Sequence, residues 1–352
     1  MKPVKFALIG AGGIAQSYAS AFDGHPDAKL VAVVDVRAES ASALADRFAC
    51  KAYPSPEALF ESGVPTDAAI LCTPPNTHES ITQDLLTRGL HVLCEKPFTF
   101  TAEGARDMAR AADNAGVLLT MGSKFRYVED VIRAKSLINS GIIGEVVLFE
   151  NAFTARVDMT NRWNSDSAVS GGGVLIDNGT HSVDIMRYFL GPLAEVHAVE
   201  GKNVQGIAVE DTARLFVKSR SGIMGSVDLS WSINKELDWY VNIYGALGTI
   251  QIGWKESRYK LGTGRDWVVF GKGYDKVQAF RSQVTNFARA IRGTENLRIT
   301  WEDAVASVEV IEAAYSSLRT SPWTGIESPR INLSHTPLSL PTLDALRDNW
   351  NG

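Results

Sequence analysis

Residues 6–15 read Phe6-Ala7-Leu8-Ile9-Gly10-Ala11-Gly12-Gly13-Ile14-Ala15, an apolar run that opens into a cluster of glycines. The spacing is G-x-G-x-x-A, and each position has a physical task. Gly10 permits a tight turn out of a strand, Gly12 lets the backbone approach a pyrophosphate, and Ala15 keeps the following helix close to the sheet. That helix begins around Gly13 and Ile14 and points its unpaired N–H groups at phosphate oxygens. A second apolar run, Leu30-Val31-Ala32-Val33-Val34, ends at Asp35. It lies about 25 residues after the first glycine, close to the ~20 usual for the ribose-binding acid. A carboxylate there accepts from the adenosine ribose hydroxyls and repels a 2′-phosphate, which predicts NAD. Arg37 stands two residues on and offers a phosphate partner, so NADP stays open. The plainer reading of Arg37 is a solvated residue at a helix start.

Outward from this turn, short apolar runs alternate with helical patterns. Strands are predicted at 5–9, 30–35, 68–72, 91–94 and 117–121, and helices at 13–23, 38–48, 78–88 and 102–115. That alternation implies parallel βαβ units in a doubly wound sheet. Uninterrupted apolar runs fit strands covered on both faces. After about residue 123 the pattern changes. Ile223, Val227, Leu229, Trp231 and Ile233 alternate with Ser226, Asp228, Ser230 and Ser232, a strand of period two with one buried face. Trp239, Val241 and Ile243 repeat the pattern, and 145–155, 194–200, 211–218, 248–252 and 266–270 are further strands. Few helices separate them, so an open, mostly antiparallel sheet is expected. Its uncovered face predicts self-association, a dimer or tetramer formed through the sheet. Helices over 129–139, 278–291 and 301–318 complete this half, with Thr300 and Asp303 as a capping-box pattern for the last. The fold class expected is α/β. A Rossmann domain occupies 1–123, an α/β domain with an open antiparallel sheet 124–325, and an extended tail 326–352.

Composition agrees. At 352 residues the chain exceeds one ordinary core, which suits two domains. Apolar residues at 45% and charged residues at 21% describe a soluble globular protein and not a disordered one. A net charge of −5 without a basic block offers no surface to nucleic acid or an anionic membrane. No apolar stretch approaches the ~18 residues of a membrane span. Lys2 and Lys5 run straight into the first strand, without the pattern of a secretory leader. Cys50, Cys72 and Cys94 lack metal-ligand spacing, and two of them lie in apolar strands. They predict free thiols, no metal site and a cytoplasmic location.

Three further motifs carry chemistry. Thr73-Pro74-Pro75-Asn76-Thr77-His78 follows the strand 68–72, and a doubly wound sheet binds ligands beyond the carboxyl ends of its strands. Thr73, Pro74, Asn76 and His78 are therefore candidate cofactor contacts, although a rigid turn before a helix has the same sequence. Cys94-Glu95-Lys96-Pro97 ends the next strand with two charges, where charges are seldom buried without a partner. Glu95 would border the cofactor, and Lys96 would orient or polarise a substrate oxygen. A surface turn is the plain alternative. In Gly171–Asp184, Asp177 precedes His181 by four residues and Asp184 follows it by three. On a helix both acids would share a face with the imidazole. They would fix its tautomer and suit it to act as a base near neutral pH.

Gly10–Ala15, Thr73–His78, Glu95-Lys96-Pro97 and Asp177-x-Gly179-x-His181 together resemble the Gfo/Idh/MocA oxidoreductases, over nearly the whole chain. The resemblance implies NAD(P) and hydride transfer at a hydroxyl or keto carbon of a sugar, inositol or related polyol. It also implies that Lys96, Asp177 and His181 form the catalytic and substrate-binding group. His181 would take the hydroxyl proton, Lys96 would hold that oxygen, and Asp177 would position the substrate or His181. Arg126 and Tyr127, in Phe125-Arg126-Tyr127, fall where the family usually lines its cleft. Arg156 and Trp163 lie in or beside the loop before the catalytic helix and are further candidate substrate contacts. Some relatives cleave a glycosidic bond through transient oxidation, and a degenerate relative would act as a nucleotide or sugar sensor. The intact Lys96, Asp177 and His181 favour the dehydrogenase.

Overall fold

The computed structural model describes residues 2–262 and 264–320. The first half alternates β1 (Val4–Ile9), α1 (Gly13–Ala21), β2 (Ala28–Val34), α2 (Ala38–Arg47), β3 (Lys51–Tyr53) and α3 (Pro56–Glu61). It continues with β4 (Ala68–Leu71), α4 (His78–Thr87), β5 (His91–Glu95), α5 (Ala102–Ala115) and β6 (Leu119–Gly122). The strands form a six-strand sheet in the order β3-β2-β1-β4-β5-β6, parallel throughout. From Phe6 to Ile9 β1 is apolar and buried, because both its faces are covered there. Phe6 and Leu8 pack with Tyr18 of α1, and Ala7 and Ile9 pack with Leu85 and Met108 of α4 and α5. Each fully buried Phe or Leu of this kind contributes about 1.5–3 kcal/mol. β3 is the strand that the apolar pattern did not reveal. It is three residues long, half-exposed, and paired only at the sheet edge.

The second half begins with α6 (Glu129–Asn139), β7 (Val146–Thr154), α7 (Ser167–Ser170) and α8 (Val174–Leu190). There follow β8 (Leu193–Glu200), β9 (Thr212–Ser219), β10 (Met224–Ser230), β11 (Trp239–Gly245), β12 (Gly248–Gly253), β13 (Ser257–Leu261) and β14 (Val268–Gly271). These strands make an eight-strand sheet in the order β14-β13-β12-β11-β7-β10-β9-β8. β10 runs parallel to β7, and the other pairs are antiparallel. α8 packs on one face, against β7, β9 and β10. The expected alternation holds for Val227, Leu229 and Trp231, all buried, whereas Ile233 lies beyond the end of β10 and is 40% exposed. β13 lacks an apolar alternation and was not expected.

Among the described residues two further helices, α9 (Lys276–Ile291) and α10 (Trp301–Thr320), return to the parallel sheet. Phe287 of α9 lies 6.0 Å from Phe6 and Phe280 lies 4.6 Å from Tyr18, ring centroid to ring centroid. Val305 and Val308 of α10 join the core of α4 and α5, while Ile311 and Ala314 join that of the second sheet. An apolar stripe announces a buried face without saying whose core it enters. α10 therefore contributes to the cores behind both sheets. Thr300 and Asp303 exchange two long backbone-to-side-chain bonds, at 3.4 and 3.5 Å, as the capping pattern required. The tail expected over 326–352 lies outside the described residues. Among the described residues no helix is long and apolar enough to cross a membrane. The three thiols are free.

β1 pairs with β2 on one side and β4 on the other, so the connections leave in opposite directions and a crevice opens beyond their carboxyl ends. The glycine turn and the Thr73 loop both stand there.

Candidate active site

The turn after β1 folds over the end of β4. Gly10 has φ +93°, and a Cβ added to it would lie 2.8 Å from the carbonyl carbon and oxygen of Cys72. Only glycine fits. Gly12 and Gly13 have the opposite surroundings, with nothing within 4 Å of an added Cβ. Gly12 caps α1 without a side-chain hydrogen bond, and the first turn holds no acid. Its N–H groups are thus left for an anion. Asp35 accepts from the Ala11 N–H through Oδ2 (2.7 Å) and from the Arg37 N–H through Oδ1 (2.8 Å). Those bonds fix the carboxylate beside the glycine turn. A cavity of about 790 Å³ runs from Arg37 and Ser55 past Gly12, Ile14, Thr73 and Pro74 to Lys96, Lys124 and Asp177. Open backbone for phosphates, a fixed acid for a ribose and an elongated cleft fit a dinucleotide.

At the Lys96 end of this cleft, α8 begins. Glu210 holds its start, accepting through Oε1 from the Gly173 and Leu175 N–H groups (3.0 Å each) and the Tyr315 hydroxyl (2.8 Å). Asp177, Asn178 and His181 then border a smaller cavity of about 270 Å³, with Lys96, Lys124, Phe125, Phe153, Thr154, Ala155 and Trp254. Lys96 follows β5 and donates through Nζ to the Asp177 carboxylate and to the Asp177 carbonyl oxygen (3.2 Å). Its own N–H donates to Glu95 Oε2 (3.1 Å), while Glu95 Oε1 accepts from the Tyr18 hydroxyl (2.7 Å). Burial raises the Glu95 pKa against the pull of Tyr18 and the neighbouring lysines. His181 is buried, edge-on to Phe125 with ring centroids 5.1 Å apart. Burial, then the charges of Lys96 and Lys124, hold its pKa well below the ordinary 6.5. It is a neutral imidazole, able to accept a proton. Burial and Lys96 likewise push the Lys124 ammonium down to about 8.

Several expected contacts fall elsewhere. Neither acid expected beside His181 bonds to it. Asp177 takes Lys96, and Asp184 accepts from the Ser123 hydroxyl (2.7 Å) and lies 2.8 Å from Arg126 Nη2. His181 Nδ1 is buried without a protein hydrogen-bond partner among the described residues, so no carboxylate sets its tautomer. Lys96 and Arg126 reach α8 from the ends of β5 and β6, and a cation outcompetes a neutral imidazole for a carboxylate. Arg126 and Tyr127 do not line the cavity. Arg126 is buried, with Nη1 donating to Asp303 (3.0 Å), and the Tyr127 hydroxyl donates to Asn286 (3.2 Å). The single 3₁₀ turn Lys124–Tyr127 brings its first two side chains to the cavity and buries the next two in the fold. Asn76 is exposed and outside the lining of the cleft. His78 is buried, its ring nitrogens 2.8 and 3.0 Å from the carbonyl oxygens of Pro97 and Thr73. It clamps two cleft loops together. Arg156 is exposed and outside both linings, and Trp163 borders the larger cavity only.

Comparison with known proteins bears on this geometry directly. Residues 4–123 match the oxidoreductase family with an NAD-binding Rossmann fold, and residues 131–251 match the GFO/IDH/MocA C-terminal domain. The chain belongs to the Gfo/Idh/MocA oxidoreductase family. Similarity to inositol 2-dehydrogenase of Rhizobium meliloti is 25% identity over 335 residues, covering 90% of this chain and 97% of that protein. To D-glucoside 3-dehydrogenase of Escherichia coli it is 31% over 218 residues, 61% of either chain. In fold the chain is similar to levoglucosan dehydrogenase solved with NADH and levoglucosan, with a TM-score of 0.82 at 19% identity, over 91% of this chain and 98% of that one. The parallel-sheet half of this Gfo/Idh/MocA protein is thus an NAD-binding Rossmann domain within a family of sugar and inositol dehydrogenase-like oxidoreductases.

Within this Gfo/Idh/MocA site, Lys124, Phe153, Asn178 and Trp254 border the small cavity and were not expected there. A signal existed for Lys124: like Lys96, it is a charge placed just after a buried strand end. Asn178 adjoins Asp177 on a helix that was expected only conditionally. Trp254 follows β12, its ring tilted against that of Tyr240 with centroids 4.7 Å apart. It is one of eight tryptophans, and its neighbours in the chain do not mark it out from the others.

Proposed function

We propose that this protein is an NAD-dependent dehydrogenase, or in reverse a ketoreductase, acting on a CH–OH group of a sugar, inositol or related polyol. One observation carries the reading. Lys96 and Asp177 line both the dinucleotide cleft and the small cavity, and His181 borders the small cavity at the same place. NAD, when bound, supplies the hydride acceptor. The rest falls to the chain. The neutral imidazole of His181 accepts the hydroxyl proton as the carbon gives up its hydride. Lys96 donates to the same oxygen and stabilises the negative charge that develops on it. Asp177, bonded to the Lys96 ammonium, positions it between the two cavities. Phe125, Phe153 and Trp254 keep water away and present aromatic faces to the C–H side of a ring. Inositol, a glucoside and levoglucosan, named for the relatives above, each offer a ring CH–OH. Residues 1–123 are in this reading the cofactor half and residues 124–325 the substrate half.

We also propose that a second copy covers the outer face of the eight-strand sheet. Phe216 and Met224 stand there 44% and 58% exposed. Light scattering of the purified protein checks this, with a dimer or tetramer expected and a monomer contradicting it. The catalytic reading is tested by absorbance of reduced nicotinamide with a panel of inositols, aldoses and glycosides. Substrate-dependent NADH formation with a ring polyol is expected. Turnover of no member of the panel in either direction, by protein that binds NADH, would overturn the reading.

A further inference from the structure

Lys124 lines both cavities, yet the reaction just described leaves it without a task. Its ammonium lies 5.4 and 5.8 Å from the ring centroids of Phe125 and Phe280. Among the described residues no acceptor stands within hydrogen-bonding distance of it. The nearby acids are already engaged: Asp177 with Lys96, and Glu95 with the Tyr18 hydroxyl and the Lys96 N–H. An ammonium carries three donors, and half-buried Lys124 turns its own toward the cavities without a protein acceptor. The depression of its pKa to about 8 by burial and Lys96 reflects that deficit, and an anion beside it would reverse the effect.

We propose that Lys124 selects a substrate bearing a carboxylate, so that the sugar or cyclitol oxidised here is an acid of the uronate type. The division of the cavity leads to this. Lys96 and His181 serve the reacting CH–OH, Phe153 and Trp254 flank the ring, and Asn178 offers an amide to a neutral hydroxyl. Lys124 remains as the charge that nothing in the cavity neutralises by direct contact. A carboxylate presents acceptors to its free donors, whereas a neutral hydroxymethyl group in the same place leaves the charge uncompensated. Within about 270 Å³ the two sites are close enough for one ring to reach both.

The inference rests on the dehydrogenase reading, and the experiment separates the two. Titrations of the NADH-loaded protein with D-glucuronate and D-glucose, and with D-galacturonate and D-galactose, compare pairs that differ by one carboxylate. Oxidation of each with NAD is followed in parallel. The acid of at least one pair is expected to bind at least ~10-fold tighter, a difference of about 1.4 kcal/mol. Lys124→Gln should erase that ratio and Lys124→Arg should retain most of it, both variants binding NADH as the parent does. A neutral sugar that binds as well as its acid overturns the inference and leaves the dehydrogenase reading intact. So does a ratio that survives Lys124→Gln, or a loss of NADH affinity in that variant that accounts for the change. D-Glucose 6-phosphate binding tighter than either acid overturns the choice of carboxylate. Oxidation of none of these compounds, with neither acid bound tighter than its neutral partner, overturns the inference, and the dehydrogenase reading is then decided by the wider panel of inositols and glycosides.

Discussion

The two cavities that meet at Lys96 are built in different ways. The phosphate and ribose end of the dinucleotide cleft is a glycine turn, a helix start without a side-chain cap and the ends of β2 and β4, all within the first third of the chain. The small cavity is side chains, brought together from the end of β5, the turn after β6, the end of β7, α8 and the residue after β12. A backbone cradle needs particular residues at fixed short spacing, so it is written contiguously. A side-chain pocket needs only that several distant positions converge, and its makers keep no common spacing. The first kind of site fixes what the fold carries, and the second fixes what is done with it.

The contrast predicts separable losses. Lys96→Met should lower kcat by ~10²–10⁴-fold, the range of a missing acid–base or charge-stabilising group. NADH affinity, measured by fluorescence titration, should fall far less. Equal losses of both would place Lys96 with the cofactor only. Gly10→Ala should do the reverse. Its Cβ meets the Cys72 backbone at 2.8 Å in a left-handed conformation. NADH affinity should therefore drop ~100-fold, or the thermal midpoint should fall by several degrees, at a cost of several kcal/mol. Unchanged affinity and midpoint would show that the turn can relax.

Smaller effects sharpen the comparison. Asp35→Ser removes the charge that faces a 2′-phosphate, and the NAD-over-NADP preference in kcat/KM should fall at least ~10-fold. An unaltered ratio would put the discrimination elsewhere. In the proposed reaction oxidation requires unprotonated His181, and burial with Lys96 and Lys124 lowers its pKa. Activity should therefore persist as pH falls to 6.5, with the acid limb of kcat/KM below it. A limb centred at or above 6.5 would mean that His181 is not the base. Trp254→Leu, which removes one aromatic face worth about 0.5–1.5 kcal/mol, should raise KM a few-fold and leave NADH binding unchanged.

How much of this was legible follows from the same contrast. Gly10, Gly12 and Asp35 announced the cleft because their tasks are local. The parallel strands were legible because burial on both faces removes polar residues, and β3 was missed because it lies half-exposed at the edge. Lys96, Asp177 and His181 could be singled out by motif, and the structure brings them together. Their bonding could not be foreseen. Spacing on α8 put two acids near His181, but the cations that claim those acids arrive from another sheet. For the same reason Arg126 was misplaced: a lone arginine after a strand reads as a ligand contact until Asp184 and Asp303 are seen around it. Trp254 and Phe153 were silent because convergence leaves no trace in spacing.

The central claim is that the glycine turn holds NAD while Lys96, Asp177 and His181 act on a carbon in the small cavity. Stopped-flow formation of NADH in a His181→Gln variant saturated with NAD tests it most directly, because His181 borders only the small cavity. With a substrate that the parent oxidises, hydride transfer should slow by ~10²-fold or more, while the NADH dissociation constant stays within ~3-fold of the parent. Transfer at the parental rate, or a slow rate explained by lost nucleotide binding, would contradict it.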